Sequence, residues 1–212
     1  MRLLVAFAAL IMSLAACADA GGEKYQAGKH YQVLDNPVRT ANPDKIEVTE
    51  VFWYGCGHCY HFETPLKPWV AGLADDVAFV KSPAMWHKTM ELHARAYYAA
   101  KALGVEDQLN LPLFEALNVR KQKLDSESEI KALFEANGVD GAKFDKVFNS
   151  FGVTGQVRQA DARARSYRIS GTPELVVEGK YRISARDAGG QPEMLEVANF
   201  LIEKERAARA AQ

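Results

Sequence analysis

The 212-residue chain predicts an α/β fold: a small sheet domain interrupted by a run of helices. Three observations carry this. The stretch from Lys45 to Tyr54 is rich in Ile, Val, Phe and Trp and lies between Pro43 and Gly55, which reads as a buried strand; Val77 to Lys81 reads as a second. Between them apolar residues recur at helical spacing, making a βαβ unit with parallel strands and a right-handed crossover. Strand signals then vanish from about Lys88 to Tyr167 and return only at Glu174.

The elements follow in order. Tyr31 to Leu34 is an edge strand ahead of the βαβ unit. The helix from Gly57 to about Leu73 is marked by Phe62, Leu66, Trp69, Val70 and Leu73, with Pro65 and Pro68 expected to kink it. In the insertion, His93, Ala96, Tyr97, Ala100 and Leu103 mark one helix and Leu109, Leu113, Phe114 and Leu117 another. Ser126 and Glu129 form a capping box for a helix that stops at Asn137-Gly138, and Asp140 caps the next, which carries Phe144, Val147 and Phe148. Val157, Ala160, Ala164 and Tyr167 line a last long helix. Glu174 to Glu178 and Tyr181 to Ser184 form a hairpin turning at Gly179-Lys180, and a terminal helix runs from Pro192 to about Ala208. The expected domains are therefore a sheet domain of residues 21–87 and 168–212 and a helical insertion of 88–167.

Composition excludes several classes. A net charge of −1 with interspersed signs leaves no footprint for nucleic acid and no basic patch for anionic lipid. Residues 1–20 read as a targeting segment, with Met1-Arg2 positive, Leu3 to Ala16 apolar and small residues after. That apolar run is too short to span a bilayer, which takes roughly 20 residues. Two processing readings compete: cleavage after Ala18-Asp19-Ala20, or lipidation of Cys17 within the lipobox-like Leu14-Ala15-Ala16-Cys17. Either way the mature protein is expected in a disulfide-permitting compartment, soluble or lipid-anchored.

Of three cysteines, only Cys56 and Cys59 remain in the folded part. A bridge across so small a loop constrains the unfolded chain little, so stapling is a poor explanation. Cys56 sits where a strand ends and a helix begins, where unpaired N–H groups and the helix dipole favour an anion. The thiolate is the reactive form, so Cys56 is expected to be the exposed attacking thiolate and Cys59 the buried resolving thiol. His58 is placed to donate a hydrogen bond or positive charge to the Cys56 sulfur. Each unit of pKa depression stabilises the reduced form by ~1.36 kcal/mol, and ~30 mV of potential corresponds to ~1.4 kcal/mol for this couple. A depressed Cys56 therefore means an oxidising disulfide. The rivals fit less well. A c-type haem site needs His directly after the second Cys, where Tyr60 stands. A zinc site lacks a second ligand pair, and His58 or His61 inside one tight turn gives poor tetrahedral geometry. No cofactor or metal is expected.

The run Phe52-Trp53-Tyr54-Gly55-Cys56-Gly57-His58-Cys59-Tyr60-His61-Phe62-Glu63 closely resembles the active-site run of the DsbA family, periplasmic thiol:disulfide interchange proteins. Gly171-Thr172-Pro173 resembles the loop in which such folds carry a cis-proline, and Gly179-Lys180-Tyr181-Arg182 and Leu201-Ile202-Glu203-Lys204 fit the same pattern. The resemblance implies a thioredoxin fold with an inserted α-helical domain, oxidising newly exported proteins that carry free thiols. It implies recharging by a quinone-linked membrane partner, DsbB. Carried over residue by residue, it makes Cys56 and Cys59 the catalytic pair, His58 the family's histidine and Pro173 the cis-proline that frees residue 172 to pair with extended substrate. It makes Glu50, inside the apolar strand, a proton acceptor or relay for Cys59, with Lys81 on the neighbouring strand as its partner. His30, His61, His87 and His93 are left as surface or packing residues.

Three residues depart from the pattern: Gly57 where the family usually has Pro, Thr172 where it usually has Val, and Glu174 at a position commonly small or apolar. Isomerisation or reduction through the same dithiol is thus the alternative, and a non-catalytic chaperone or metal-binding lipoprotein a third reading. No dimerisation segment is apparent, which favours oxidation by a monomer.

Overall fold

The computed structural model describes residues 23–211. The targeting segment and Cys17 lie outside the described residues. The elements are β1 (Gln32–Val33), β2 (Ile46–Phe52), α1 (Gly57–Ala71), β3 (Val77–Pro83), α2 (Lys88–Leu103), α3 (Glu106–Asn118), α4 (Glu127–Ala136), α5 (Gly141–Phe148), α6 (Phe151–Ser166), β4 (Glu174–Val177), β5 (Tyr181–Ser184), α7 (Ala185–Ala188) and α8 (Gln191–Ala210). The strands form one sheet in the order β1-β5-β4-β2-β3. β2 and β3 are parallel, as a βαβ unit requires, and the remaining pairs are antiparallel. This is a thioredoxin fold with helices α2–α6 inserted between β3 and β4.

Strand β2 is central, and every one of its seven residues is buried. Its apolar side chains feed both faces: Ile46 and Val48 pack with α1 and α8, while Phe52 packs into the helical insertion. The helical core gathers Phe114, Phe134, Phe144 and Phe148, and it also takes in Tyr54 and Cys59. The start of α1 therefore sits where the sheet core and the helical core meet.

Several boundaries differ from the sequence reading for physical reasons. Helix α1 continues through Pro65 and Pro68 and ends at Gly72, whose N–H reaches the carbonyls of Pro68 and Trp69. Helix α6 begins earlier than its apolar spacing suggests, because Ser150 caps it by accepting the N–H of Val153 at 3.2 Å. The β4–β5 turn is centred one residue before Gly179-Lys180. Glu178 and Gly179 both have positive φ, and the N–H of Lys180 donates to Val177 at 2.9 Å. A side chain at Gly179 would sit 2.0 Å from the Val38 carbonyl oxygen, so a close backbone approach requires glycine there. The short α7 carries too few residues to show a periodicity.

Candidate active site

The chain leaves β2 through a tight corner before α1. The N–H of Cys56 donates to the Trp53 carbonyl at 3.0 Å. Gly55 lies against the Trp53 ring so closely that a Cβ would be 2.3 Å from it. The corner presents Cys56 as the N-cap of α1, with its Sγ accepting the N–H of Cys59 at 3.4 Å. A sulfur in that position takes the role usually played by a serine or aspartate oxygen, satisfying an otherwise unpaired helix N–H. Opposite it, the Thr172 carbonyl oxygen lies 3.2 Å from Cys56 Sγ, where it accepts from the thiol when Cys56 is protonated, and the Thr172–Pro173 bond is cis.

These contacts separate the two thiols. The Cys59 thiol, the Thr172 side chain and the N–H groups of Cys59 and His58 bring Cys56 down to about 5, against an opposing effect of partial burial. Cys59 is fully buried, and burial pushes its pKa far up, helped by the nearby charges of Glu50 and Cys56. At neutral pH one sulfur is anionic and reachable while the other holds its proton.

Beneath the pair lies a charged cluster. Glu50 and Lys81 are direct partners in the parallel β2–β3 register. Lys81 Nζ stands 3.3 Å from Glu50 Oε2, yet neither Glu50 oxygen has a hydrogen-bond partner. Burial raises Glu50 to about 7, with Lys81 pulling down and Glu63 and Cys56 pushing up. Burial works against the Lys81 charge, but Glu50 and Glu63 outweigh it and its pKa lies above the ordinary lysine value. Lys81 also bonds Glu63, which takes a further hydrogen bond from Asn110 at 2.6 Å. The Lys81 ammonium lies over the Phe52 ring, 4.9 Å from its centre. A cavity of about 940 Å³ opens onto this cluster between α1, β3, α2 and α3.

The structure thus brings Cys56, Cys59, Glu50, Lys81, Thr172 and Pro173 together. His58 differs from expectation. Its imidazole is exposed and makes no hydrogen bond to the sulfur; as the second residue of α1 its side chain turns outward, and its backbone N–H supplies the interaction. His93 is a packing residue in the insertion: it accepts from Trp53 Nε1 at 2.9 Å and faces the Leu124 carbonyl at 3.1 Å. With Trp53 donating to Nδ1, the proton of the neutral ring must sit on Nε2.

Three supporting residues were missed. Glu63 had a signal, since it lies one helical turn after Cys59 on the same face of α1. Asn118, donating to the Tyr54 carbonyl at 2.7 Å, and Gln191, donating to the His58 carbonyl at 2.7 Å, had none, because both come from distant helices. Among the described residues no group of three or more His, Cys, Asp or Glu is arranged to hold a metal, and no helix is long and apolar enough to cross a membrane.

Two thiols so unlike in acidity, at the head of a helix, are built to trade disulfides with other thiols. Fold and site together define a thiol:disulfide oxidoreductase of the thioredoxin class. Comparison with known proteins narrows this. Residues 75–197 match the model of the DSBA-like thioredoxin domain. The chain is 41% identical over 208 residues to the thiol:disulfide interchange protein DsbA of Pseudomonas aeruginosa PAO1, covering 98% of this chain and 99% of that one. It is 39% identical to the Pseudomonas syringae pv. tomato protein of the same name over 100% and 99% of the two chains. The crystal structure of Pseudomonas aeruginosa DsbA superimposes with a TM-score of 0.85 at 42% identity, over 88% of this chain and 97% of that one. DsbA from Xylella fastidiosa gives 0.80 at 32% identity, over 86% and 98%. The chain belongs to the DsbA family.

Proposed function

We propose that the protein is a periplasmic oxidase that introduces disulfides into exported proteins through Cys56 and Cys59. The observation that carries this reading is Cys56 at the head of α1, its Sγ accepting the Cys59 N–H at 3.4 Å, an arrangement that brings its pKa down to about 5. A thiolate so stabilised favours the reduced form, and therefore makes the disulfide form eager for electrons.

A substrate thiolate attacks Cys56 Sγ in the oxidised protein. The Cys56–Cys59 bond breaks, and the electron pair leaves on Cys59. Buried as it is, the Cys59 thiolate takes up a proton; Glu50, poised near neutrality, is the group to hold or relay it, with Lys81 and Glu63 balancing its charge. A second substrate thiolate then attacks the substrate sulfur of the mixed disulfide, releasing Cys56 as thiolate. The substrate loses two electrons and the protein gains them. Thr172 and Pro173 present backbone for an extended substrate to pair with. A DsbB-like, quinone-linked membrane protein removes the two electrons, and the oxidase works as a monomer. The leader of residues 1–20 delivers it to the periplasm, free or anchored through Cys17; the intact mass of membrane-extracted protein distinguishes a lipidated Cys17 from an unmodified chain starting at Gly21.

The test is thiolate absorbance of Cys56 against pH, with equilibration in glutathione buffers. A midpoint near 5 and a potential well above that of a reducing thioredoxin are expected. A midpoint near 8 turns the assignment to reduction or isomerisation. Cys56→Ser must abolish all exchange; residual exchange would show that Cys56 is not the attacking thiol, and a wild-type protein without exchange would leave a non-catalytic role.

A further inference from the structure

Glu174 opens β4 directly after Pro173 and is only 2% exposed. A buried carboxylate is costly unless its environment uses the charge. Its Oε1 accepts three hydrogen bonds from the preceding loop: the N–H of Gly171 at 3.0 Å, the N–H of Ser170 at 3.3 Å and the Ser170 hydroxyl at 3.2 Å. Its other oxygen, Oε2, faces Arg182 Nε on β5 at 3.5 Å, an ion-pair contact without a hydrogen bond. Arg182 in turn donates through Nη1 to the carbonyl of Arg168, where the chain leaves α6 with a φ of 54°.

One ion pair therefore grips both ends of the 168–171 loop, the acid taking its N–H groups and the guanidinium its carbonyl. The next residue is Thr172, whose carbonyl lies 3.2 Å from Cys56 Sγ. With the inner N–H groups committed to Glu174, the loop has one settled orientation in which its outer edge faces the nucleophile. An apolar residue at this position would leave two loop N–H groups unpaired and free to turn.

We propose that Glu174, braced by Arg182, is a positioning residue that holds the Ser170–Pro173 loop against Cys56 and so governs how well an extended peptide thiol docks there. The inference rests on the exchange reading of Cys56 and deepens it, by assigning part of substrate docking to a charged clasp behind the loop. Glu174 touches neither substrate nor sulfur and acts only through the loop.

The experiment measures oxidation of a two-cysteine peptide by wild type, Glu174→Ala, Glu174→Gln and Arg182→Met, separating KM from kcat and titrating the Cys56 thiolate in each. Glu174→Ala should raise KM about tenfold, as expected when one docking hydrogen bond is held out of place, with kcat changed less than about twofold. The Cys56 midpoint should move upward as the Thr172 side chain, one of the groups that lower it, withdraws. Glu174→Gln keeps an oxygen for the loop N–H groups and should recover most of the KM; Arg182→Met should fall between. Wild-type KM in folded Glu174→Ala overturns the inference, as does a Glu174→Gln no better than Glu174→Ala. If Glu174→Ala does not fold, Arg182→Met decides: a raised KM supports the clasp and an unchanged one overturns it. A wild-type protein that oxidises no peptide defeats the exchange reading instead, and the Cys56 titrations of the variants still report whether the clasp positions Thr172.

Discussion

Glu47 and Glu50 lie three residues apart on the same buried strand, on opposite faces of the sheet, and their fates are opposite. Glu47 receives the N–H of Ala41 on one oxygen at 2.9 Å and the Thr49 hydroxyl on the other at 3.0 Å. Glu50 has an ammonium nearby and no hydrogen bond at all. Both are almost fully buried. Burial by itself therefore does not mark a working acid. A satisfied carboxylate is part of the architecture, whereas an unsatisfied one beside a thiol that gains and loses a proton is available for chemistry.

The comparison breaks most sharply at Lys81. Lys81→Met strands Glu50 and Glu63 without their shared cation, which should cost about 3–5 kcal/mol in urea unfolding. A loss below about 1 kcal/mol would mean the cluster is already neutral. Next is Glu47→Ala, which removes two hydrogen bonds and leaves the Ala41 N–H unpaired. About 2 kcal/mol should be lost, while the exchange rate of the folded protein stays at the wild-type level. A slowed rate would erase the contrast between the two acids.

Glu50→Gln should behave in the opposite way. The raised Glu50 pKa means that the folded state binds its proton more tightly than the unfolded state does. Its contribution is therefore favourable at low pH and is lost as pH rises from about 4.5 to about 7. The variant should gain stability on wild type across that window. Its exchange rate should fall and lose the inflection near pH 7, read by stopped-flow mixing with a peptide thiol. An unchanged pH–rate profile would remove Glu50 from the mechanism.

The smallest effect concerns Cys56 itself. Thr172→Val removes the side-chain hydrogen bond that lowers Cys56, so thiolate absorbance should shift upward by about one unit and weaken the oxidant correspondingly. Since the depressed thiol stabilises the reduced protein above its unfolded value of 9.0, and that benefit fades as pH falls through about 5, the Tm advantage of reduced over oxidised protein should shrink over the same range. In Thr172→Val the decline should still begin near 9.0 but reach completion at a higher pH than in wild type.

Much of this was legible in the residues. The apolar run around Glu50 gave a buried strand, the capping pattern at Ser126 and Asp140 gave two helix starts, and the Cys56–Cys59 spacing gave the site. Pairing Glu50 with Lys81 was also readable, since consecutive parallel strands of a βαβ unit lie side by side. The His58 imidazole was misjudged: adjacency to a cysteine in sequence says nothing about which side of a helix start a side chain takes.

The sequence by itself determined the strands, the helices and the two thiols, because these depend on period, capping and spacing within a few residues. Only the tertiary structure decided what surrounds them. Thr172 reaches Cys56 from 116 residues away, and Arg182 reaches Glu174 across a hairpin. Such long-range placement sets desolvation and hydrogen bonding at each group. Those in turn set the acidity of Cys56, the raised pKa of Glu50 and the ordering of the Ser170–Pro173 loop.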